Sequence, residues 1–260
     1  MNIVSGNSGS AVIIAVAGKG GVGKTSIAAT VVRLLEENFP DKRILAIDAD
    51  PAVGLSTALG VEIRSTIDDI RRGIVDSFDA GDKRTAIELL GDARYKIFDA
   101  MTETDGFAFI AVGRPESAGC YCKINGYLKE VISILSEEFD YVVVDGEAGI
   151  EQINRRVMEK VTHLLLVTDT SKKGTQVVKT VKEVADRLVM FKEAGVVVNR
   201  ITDESQKAFV DVGGLPVYAY INSDANVAAF DAQGRSLLEL PEDSEIIRGV
   251  REALSAAGIL

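Results

Sequence analysis

The sequence predicts an α/β domain in which a mostly parallel sheet of seven or eight strands carries helices on both faces. Short apolar runs rich in β-branched residues recur along the chain, amphipathic stretches with helical spacing separate most of them, and several runs end in polar or glycine-rich segments. Strands that alternate with helices specify a parallel sheet covered on both sides. Functional loops are then expected at the carboxyl ends of the strands.

The predicted elements follow one another in order. Strands are expected at residues 11–17, 43–48, 107–112, 141–145, 163–168, 196–199 and 216–219. Helical patterns are expected at residues 24–38, 123–138, 149–160, 173–191, 224–232 and 243–256. The interval 60–105 breaks the alternation, because it is highly charged and contains helical pieces such as 85–90 but no convincing strand. We interpret it as a helical elaboration on a single domain that spans residues 1–260.

Composition limits the class of partner. The 260 residues suit one large α/β domain, and a hydrophobic share of 47% is ample for a core. With 39 acidic and 29 basic residues the net charge is −10, which argues against a nucleic-acid partner and against an anionic membrane. Residues 1–10 lack the features of a signal peptide, and no apolar run approaches the roughly 18 residues of a membrane span. We expect a cytoplasmic protein with reduced thiols.

A phosphate-binding loop stands between the first strand and the first helix. Residues 18–25 read G-K-G-G-V-G-K-T and match G-x-x-x-x-G-K-[ST] in the strand–loop–helix context that this P-loop motif requires. Glycines let backbone amides close on a polyphosphate, and the helix N-terminus adds partial positive charge. Those glycines are Gly18, Gly20, Gly21 and Gly23. Lys24 is expected to contact the β- and γ-phosphates of ATP, and Thr25 to ligate Mg²⁺.

Two further predicted strands end in carboxylates. The segment I-D-A-D-P places Asp48 and Asp50 two residues apart, so that in an extended chain both side chains project to the same face. They can then converge on one cluster of Mg²⁺, phosphate and water. The strand 141–145 ends in Asp145, a Walker-B pattern in which the acid acts on Mg²⁺ directly or through water.

The only two cysteines of the chain form a C-x-C pair within G-C-Y-C. In an extended backbone the thiols of Cys120 and Cys122 face the same side, and the short loop between them disfavours a disulfide. Two thiolates leave a tetrahedral soft cation such as Ni²⁺ or Zn²⁺ half coordinated. A two-fold dimer would bring four thiolates to one shared metal ion.

The string K-G-G-V-G-K-T resembles the deviant P-loop of the MinD/ParA/nitrogenase-iron-protein ATPases, which work as nucleotide-sandwich dimers. The resemblance implies that Lys19 reaches the ATP of the partner subunit, that Asp50 orients or deprotonates the attacking water, and that Asp48 holds the Mg²⁺ water shell. It also implies that Gly149 senses the γ-phosphate and that Asn199 recognises adenine. The catalytic positions that it implies are Lys19, Lys24 and Asp50, and the nucleotide-binding positions are Gly18, Gly20, Gly21, Val22, Gly23, Lys24, Thr25, Ser26, Asp48, Asp145, Gly149, Asn199 and Arg200.

A more specific resemblance rests on four segments taken together. These are A-G-K-G-G-V-G-K-T, I-D-A-D-P, G-R-P-E-x-x-G-C-Y-C and D-x-E-A-G-I-E. In combination they look like the CooC-type ATPases, which mature the nickel centres of carbon monoxide dehydrogenase and acetyl-CoA synthase, and the likeness covers essentially the whole chain. It implies an ATP-driven homodimer that binds Ni²⁺ or Zn²⁺ at the paired cysteines and helps to insert nickel into an apo-enzyme.

Two other interpretations remain open. The first is a positioning ATPase of the MinD/ParA type. MinD relatives end in a basic amphipathic membrane helix, whereas residues 242–260 carry Arg248 and Arg251 against four acidic residues; a net charge of −10 does not supply the DNA-binding surface of ParA relatives. The second is an ATPase that carries an iron–sulfur cluster, because four thiolates suit a cluster as well as Ni²⁺ or Zn²⁺.

Overall fold

The computed structural model describes residues 11–113, 122–146 and 160–260, with only the backbone described for residues 122–125. The strands in this part of the chain are β1 Val12–Gly18, β2 Ile44–Asp48, β3 Thr102–Glu103, β4 Ala108–Ala111, β5 Tyr141–Asp145, β6 His163–Thr168, β7 Glu193–Ile201 and β8 Val217–Asn222. The helices are α1 Lys24–Asn38, α2 Gly54–Leu59, α3 Ile67–Asp79, α4 Lys83–Gly91, α5 Ala93–Ala100, α6 Cys122–Ser136, α7 Lys172–Leu188, α8 Ala225–Gln233 and α9 Glu245–Ala256. Single 3₁₀ turns lie at Glu204–Phe209 and Leu237–Glu239.

The strands form one sheet in the order β3-β4-β2-β5-β1-β6-β7-β8. Neighbouring strands pair in parallel except at one edge, where β3 is antiparallel to β4. Strand β1 lies between β5 and β6, so that Ile14 is opposite both Val143 and His163. The carboxyl ends of these parallel strands therefore meet at one edge of the sheet. The prediction of a mostly parallel sheet of seven or eight strands is confirmed.

Helices cover both faces because side chains of the strands alternate between two apolar layers. Ile14 and Val16 of β1 pack with α1, α2 and α9 on one face. Ala15 and Ala17 pack with α3, α5, α6 and α7 on the other. Both layers consist mainly of fully buried Ala, Val, Ile and Leu side chains.

The predicted strands and helices agree closely with those observed, and the differences have local causes. The interval 60–105 forms α3, α4 and α5, but it also contains β3, so the expectation of no strand there was wrong. Strand β3 is only two residues long, too short to leave a periodic pattern. Helix α2 was not predicted, because it is six residues long and begins after Val53, whose φ of 52° is rare for a β-branched residue. The predicted helix at 149–160 lies almost entirely outside the described residues.

None of the helices in the described ranges is long and apolar enough to cross a membrane.

Candidate nucleotide site

Two glycines of the P-loop stand where a side chain would be strained. Gly18 has φ 137°, and a Cβ there would lie 2.1 Å from the carbonyl oxygen of Val167 in the neighbouring strand. Gly23 has φ 91°, and its Cβ would lie 2.7 Å from Nδ2 of Asn199. Both positions combine a left-handed backbone with a close contact, so a side chain would be strained and would also clash. Gly21 shares the positive φ, at 75°, whereas Gly20 does not.

The N-terminus of α1 presents amides that favour an anion. Its cap is Gly23, which has no side chain to accept a hydrogen bond, and its first turn, Lys-Thr-Ser-Ile, carries no acidic residue. The first amides of a helix lack intrahelical partners and carry partial positive charge. The loop and the start of α1 therefore fit a phosphate group, as the motif predicted.

The ammonium of Lys24 is held inside this loop. Lys24 is only 8% exposed, and its Nζ donates to the carbonyl oxygen of Lys19 at 3.2 Å. A buried ammonium folded back over the loop is placed to meet the phosphates that the loop would bind. Ser26 lies in the same first turn, where its carbonyl oxygen accepts a hydrogen bond from the Thr30 hydroxyl at 2.8 Å.

Asp48 organises the segment that follows β2. It is fully buried, and its two carboxylate oxygens accept from the amides of Asp50 at 3.0 Å and Leu55 at 2.8 Å. Burial raises the pKa of Asp48 to about 6 despite these hydrogen bonds, and the negative charge of Asp50 adds to the shift. Asp50 itself lies beyond the end of β2, where its Oδ1 accepts from the amide of Ala52 at 2.8 Å. The Asp48 carboxylate therefore fixes the backbone of the segment between β2 and α2.

Asp145 is the other buried acid of the site. Neither of its carboxylate oxygens has a hydrogen-bond partner among the described residues, although both are fully buried. Burial, together with the negative charges of Asp48 and Asp50, raises the pKa of Asp145 to about 7. Lys24 and the Thr25 hydroxyl oppose this shift; Thr25 lies near enough to favour the ionised form without the geometry of a formed hydrogen bond. Three carboxylates thus lie close together beside Lys24 and Thr25.

This arrangement fits a divalent cation bound together with phosphate. A buried carboxylate without partners needs a compensating cation. In the part of the chain that the structure describes, no three His, Cys, Asp or Glu side chains converge to hold a metal ion by themselves. Mg²⁺ usually keeps several waters and binds through one or two protein oxygens plus substrate phosphates. Thr25 and Asp145 would hold it here, and it would offset the charge of the phosphates and of the acids.

Asn199 lies against the P-loop from the end of β7. Its side-chain amide donates to the carbonyl oxygen of Val22 at 2.8 Å in a buried setting, and Asn199 is 6% exposed. The next residue, Arg200, has φ 60°, and its Nε lies 3.9 Å from where a Cβ on Gly23 would stand. The structure therefore gives Asn199 a loop-supporting contact in addition to its predicted role at adenine, which remains a prediction.

Replacement of Asn199 by Ala should separate these two roles. Loss of a buried hydrogen bond that leaves the Val22 carbonyl without its donor is expected to lower the free energy of unfolding by about 1–3 kcal/mol. If support of the loop is its main role, affinity for ATP and GTP should fall by the same factor in equilibrium titrations. A change in the ATP-to-GTP ratio would instead show that Asn199 reads the base. Asn38→Ala, which removes another side-chain amide donor at the end of α1 opposite the loop, is the matched control.

The side chain of Lys19 contacts the segment that follows β6. Its Nζ forms an ion pair with the carboxylate of Asp169 and lies 3.5 Å from the hydroxyl of Ser171. Ser171 caps α7 by accepting from the amide of Gly174 at 3.0 Å. Burial opposes ionisation of Asp169, but the hydrogen bonds from Lys19 and Ser171 outweigh it and leave its pKa below the usual value.

Sequence analysis did not identify Asp169 and Ser171 as site residues. The signal lay in T-D-T-S, a polar segment directly after the predicted strand 163–168. Such segments at the carboxyl ends of parallel strands line ligand sites. Because β6 pairs with β1, this segment comes next to the P-loop.

The stability of the nucleotide-free protein should fall as pH rises from about 4 to about 7. The pKa values of Asp48 and Asp145 are raised in the folded state, so these two carboxyls bind more protons in the folded chain than in the unfolded chain across this interval. Asp145→Asn removes the larger of the two pKa shifts and should raise the free energy of unfolding at pH 8 by roughly 2–4 kcal/mol. Urea unfolding at pH 5 and pH 8 measures this change in the free energy of unfolding.

Asp140→Asn is the control, because the pKa of Asp140 is lowered: burial opposes the shift, but the Arg43 amide and Lys42 outweigh it. An equal gain from Asp140→Asn would contradict this account.

Three predicted site residues cannot be placed. Cys120 and Gly149 lie outside the described residues, and only the backbone of Cys122 is described, as the first residue of α6. The ends of the segment between β4 and α6 are nevertheless defined. The amide of Val112 donates to the carbonyl oxygen of Asp48 at 2.8 Å, so this segment leaves the sheet beside the acids of the nucleotide site.

Comparison with known proteins agrees with this geometry. Residues 13–238 match the model of the CobQ/CobB/MinD/ParA nucleotide binding domain. An uncharacterised ATP-binding protein of Methanocaldococcus jannaschii is 35% identical over 244 residues, 92% of this chain and 96% of that protein. The carbon monoxide dehydrogenase accessory protein CooC of Rhodospirillum rubrum is 28% identical over 265 residues, 94% of this chain and 95% of that protein.

The fold is also found among solved structures. The septum site-determining protein MinD of Pyrococcus horikoshii, solved with Mg-ADP, superposes with a TM-score of 0.68 and covers 95% of this chain and 96% of its own. The sequence identity is 21%, so this likeness concerns the fold alone.

Proposed function

Because the chain belongs to the CobQ/CobB/MinD/ParA nucleotide-binding family, we propose that it is an ATP-dependent maturation factor that inserts nickel into an apo-enzyme. The client would be of the carbon monoxide dehydrogenase or acetyl-CoA synthase type. The observation that carries this proposal is the C-x-C pair, Cys120 and Cys122, which are the only thiols of the chain. The similarity to CooC over nearly the whole chain supports it. Nickel is cargo in this function, and ATP hydrolysis drives its release.

The position of the cysteine segment supports a link between nucleotide and metal. Strand β4 ends beside Asp48, which accepts the Val112 amide through its carbonyl and the Leu55 amide through its side chain. A Cβ on Gly113, the last described residue before the segment, would lie 2.7 Å from the hydroxyl of Thr66, the N-cap of α3. Gly113 therefore lies directly against the start of α3. A shift of the Asp48 loop on nucleotide binding would therefore also move Val112 and Gly113, where the cysteine segment begins.

In hydrolysis each polar side chain of the site has a distinct task. Lys24 and the amides at the start of α1 would bind and orient the phosphates. Asp50, whose amide bonds the Asp48 carboxylate, would orient the attacking water. Lys19 would supply a cation to the ATP of a second chain, as the deviant loop implies. Two chains facing each other across their P-loops would bring the two cysteine pairs to one shared site.

A positioning function of the MinD type is less well supported. The last helix, α9, buries Ile246, Ile247, Val250 and Leu254 against α1 and the sheet. A helix whose apolar face is packed into the core has no such face left for a membrane surface.

Anaerobic metal analysis tests the proposed function. The reduced protein should bind one Ni²⁺ or Zn²⁺ per two chains, because each chain offers two thiolates and a soft ion takes four ligands. The Cys120→Ser/Cys122→Ser protein should bind none while keeping its affinity for ATP. The unchanged protein should raise the nickel content and the activity of an apo-enzyme client only when ATP is present, and the double variant should raise neither. One metal ion per chain would refute the shared site, and iron with acid-labile sulfide would favour the cluster-carrying alternative.

A further inference from the structure

Phe209 has the most exposed large apolar side chain among the described residues, at 80%. It is the last residue of the 3₁₀ turn Glu204–Phe209, which follows β7. The turn therefore stands at the carboxyl ends of the parallel strands, where the nucleotide site also lies. An aromatic ring surrounded by water gains free energy when a partner buries it, so Phe209 marks a candidate contact.

The side chains of this 3₁₀ turn point in different directions. With three residues per turn, side chains i and i+3 lie above one another. Lys207 faces β8, because its Nζ lies over the ring of Tyr220, 5.3 Å from the centroid. Gln206 faces the segment after β6, because its Oε1 accepts from the Thr170 hydroxyl at 3.1 Å. Phe209 follows Gln206 by three residues and therefore lies on the side of the turn that meets this segment.

The segment after β6 also contacts the P-loop. Asp169, directly before Thr170, forms the ion pair with Lys19. Two side-chain contacts thus connect the turn that carries Phe209 to the lysine that would reach a second chain. We define the Lys19 face as the surface that these residues form at the carboxyl ends of β1, β6 and β7: Lys19, Asp169, Thr170, Gln206 and Phe209.

From this continuity we propose that Phe209 packs against a second copy of the chain when two P-loops meet across Mg-ATP. The inference rests on the nucleotide-sandwich dimer of the proposed function. In that dimer Lys19 reaches the ATP of the second chain, so the second chain covers the Lys19 face. A two-fold axis uses the same face of both chains, so two phenylalanine rings leave water for each dimer formed. They add apolar area to a contact that is otherwise made by polar side chains and nucleotide.

The charge of this region also suits a second copy. The segments 169–173 and 200–209 carry four basic and three acidic residues: Lys172, Lys173, Arg200 and Lys207 against Asp169, Asp203 and Glu204. The chain as a whole has a net charge of −10, so two copies repel one another on average. A surface without an excess of negative charge is one where they can approach at a small electrostatic cost.

Sedimentation velocity tests the contact. Reduced, metal-depleted protein is studied with Mg²⁺ and a non-hydrolysable ATP analogue, so that nickel or zinc does not contribute to association. The unchanged chain should dimerise when the analogue is bound. Phe209→Ser should raise the dissociation constant of the dimer at least about tenfold, because it removes an aromatic ring from both halves of the contact. Phe209→Leu, which keeps a large apolar side chain, should retain most of the association.

The affinity of the single chain for nucleotide is measured separately, by titration at a protein concentration below the dissociation constant of the dimer. Phe209→Ser should bind the ATP analogue within about twofold of the unchanged chain, because the ring contacts the second chain and not its own nucleotide. Tyr95→Ser is the matched control for dimerisation. It removes a ring that is 74% exposed on α5, the helix that leads into β3 at the edge of the sheet, and should leave the dimer unchanged.

The outcomes separate this contact from the dimer on which it rests. A chain that stays monomeric with the analogue bound would overturn the nucleotide-sandwich dimer and the Phe209 contact together. Dimerisation of Phe209→Ser equal to that of the unchanged chain would overturn the contact alone, and so would an equal loss in Tyr95→Ser. A fall in the affinity of single Phe209→Ser chains would assign the ring to the base of its own nucleotide, which also overturns the contact.

Discussion

Lys24→Ala protein is expected to bind ATP and ADP at least about 100-fold more weakly than the unchanged chain. The Lys24 ammonium is 8% exposed and is held inside the P-loop at 3.2 Å from the Lys19 carbonyl oxygen. A charge-assisted hydrogen bond to phosphate in a largely desolvated site contributes about 3 kcal/mol or more. That free energy corresponds to about two orders of magnitude in the dissociation constant. Isothermal titration calorimetry with Mg²⁺ present measures it.

The matched control for this variant is Lys192→Ala. Lys192 is exposed and lies at the amino ends of β6 and β7, whereas the nucleotide site lies at the carboxyl ends of the strands. The Lys192→Ala substitution therefore removes the same charge at a distance from the site. Its affinity for ATP should stay within about twofold of the unchanged chain. Nucleotide affinity that survives Lys24→Ala would place the phosphates elsewhere, and the proposed function would then lose its basis.

The parts of the fold that the sequence predicted best are those whose residues are buried on both sides. Strands β5 and β6 begin and end where they were expected, because a central parallel strand reads as an uninterrupted apolar run. Strand β7 extends three residues before and two residues after the predicted 196–199, since its first residues are partly exposed and less apolar. Helix α3 was not predicted individually, because charged residues and Gly73 stand between its apolar positions.

The candidate site was predictable where it is contiguous in sequence and not where it depends on strand order. Gly18 to Thr25 form one motif, and each glycine could be interpreted from it alone. The contact of Lys19 with Asp169 and that of Asn199 with Val22 join residues 150 and 177 positions apart. Both exist because β6 lies beside β1 and β7 beside β6, an order that no local pattern records. The burial of Asp145 beside Asp48 has the same origin in the pairing of β2 with β5.

Lys19→Ala protein is expected to hydrolyse ATP about 1,000-fold more slowly, while its affinity for ATP stays within about threefold of normal. Within its own chain Lys19 contacts Asp169 and Ser171, not the phosphate position beside Lys24. Its removal should therefore leave the binding of a single nucleotide nearly unchanged. A cation supplied by a partner to the transition state contributes about 10³-fold or more to phosphoryl transfer.

The ion pair between Lys19 and Asp169 predicts that a substitution at Asp169 raises the rate of ATP hydrolysis. Lys19 must leave Asp169 before it can reach a second chain, so the pair favours the single chain. Both side chains are about a quarter exposed, 24% and 27%, and such a pair stabilises by about 1 kcal/mol at most. Asp169→Asn should therefore raise hydrolysis at low protein concentration by about two- to fivefold. Asp203→Asn, which changes an acid at the cap of the 3₁₀ turn Glu204–Phe209, should leave hydrolysis unchanged.

A mixture of the two lysine variants tests whether Lys19 acts across chains. In a dimer of Lys19→Ala with Lys24→Ala, the first chain keeps a P-loop that binds ATP, and the second supplies an intact Lys19 to it. Hydrolysis should therefore return on mixing, although neither variant is active alone, and it should rise with the concentration of the Lys24→Ala partner. Activity of Lys19→Ala by itself would remove the deviant lysine from the mechanism. A mixture that stays inactive would instead show that Lys19 acts only within its own chain, where it pairs with Asp169.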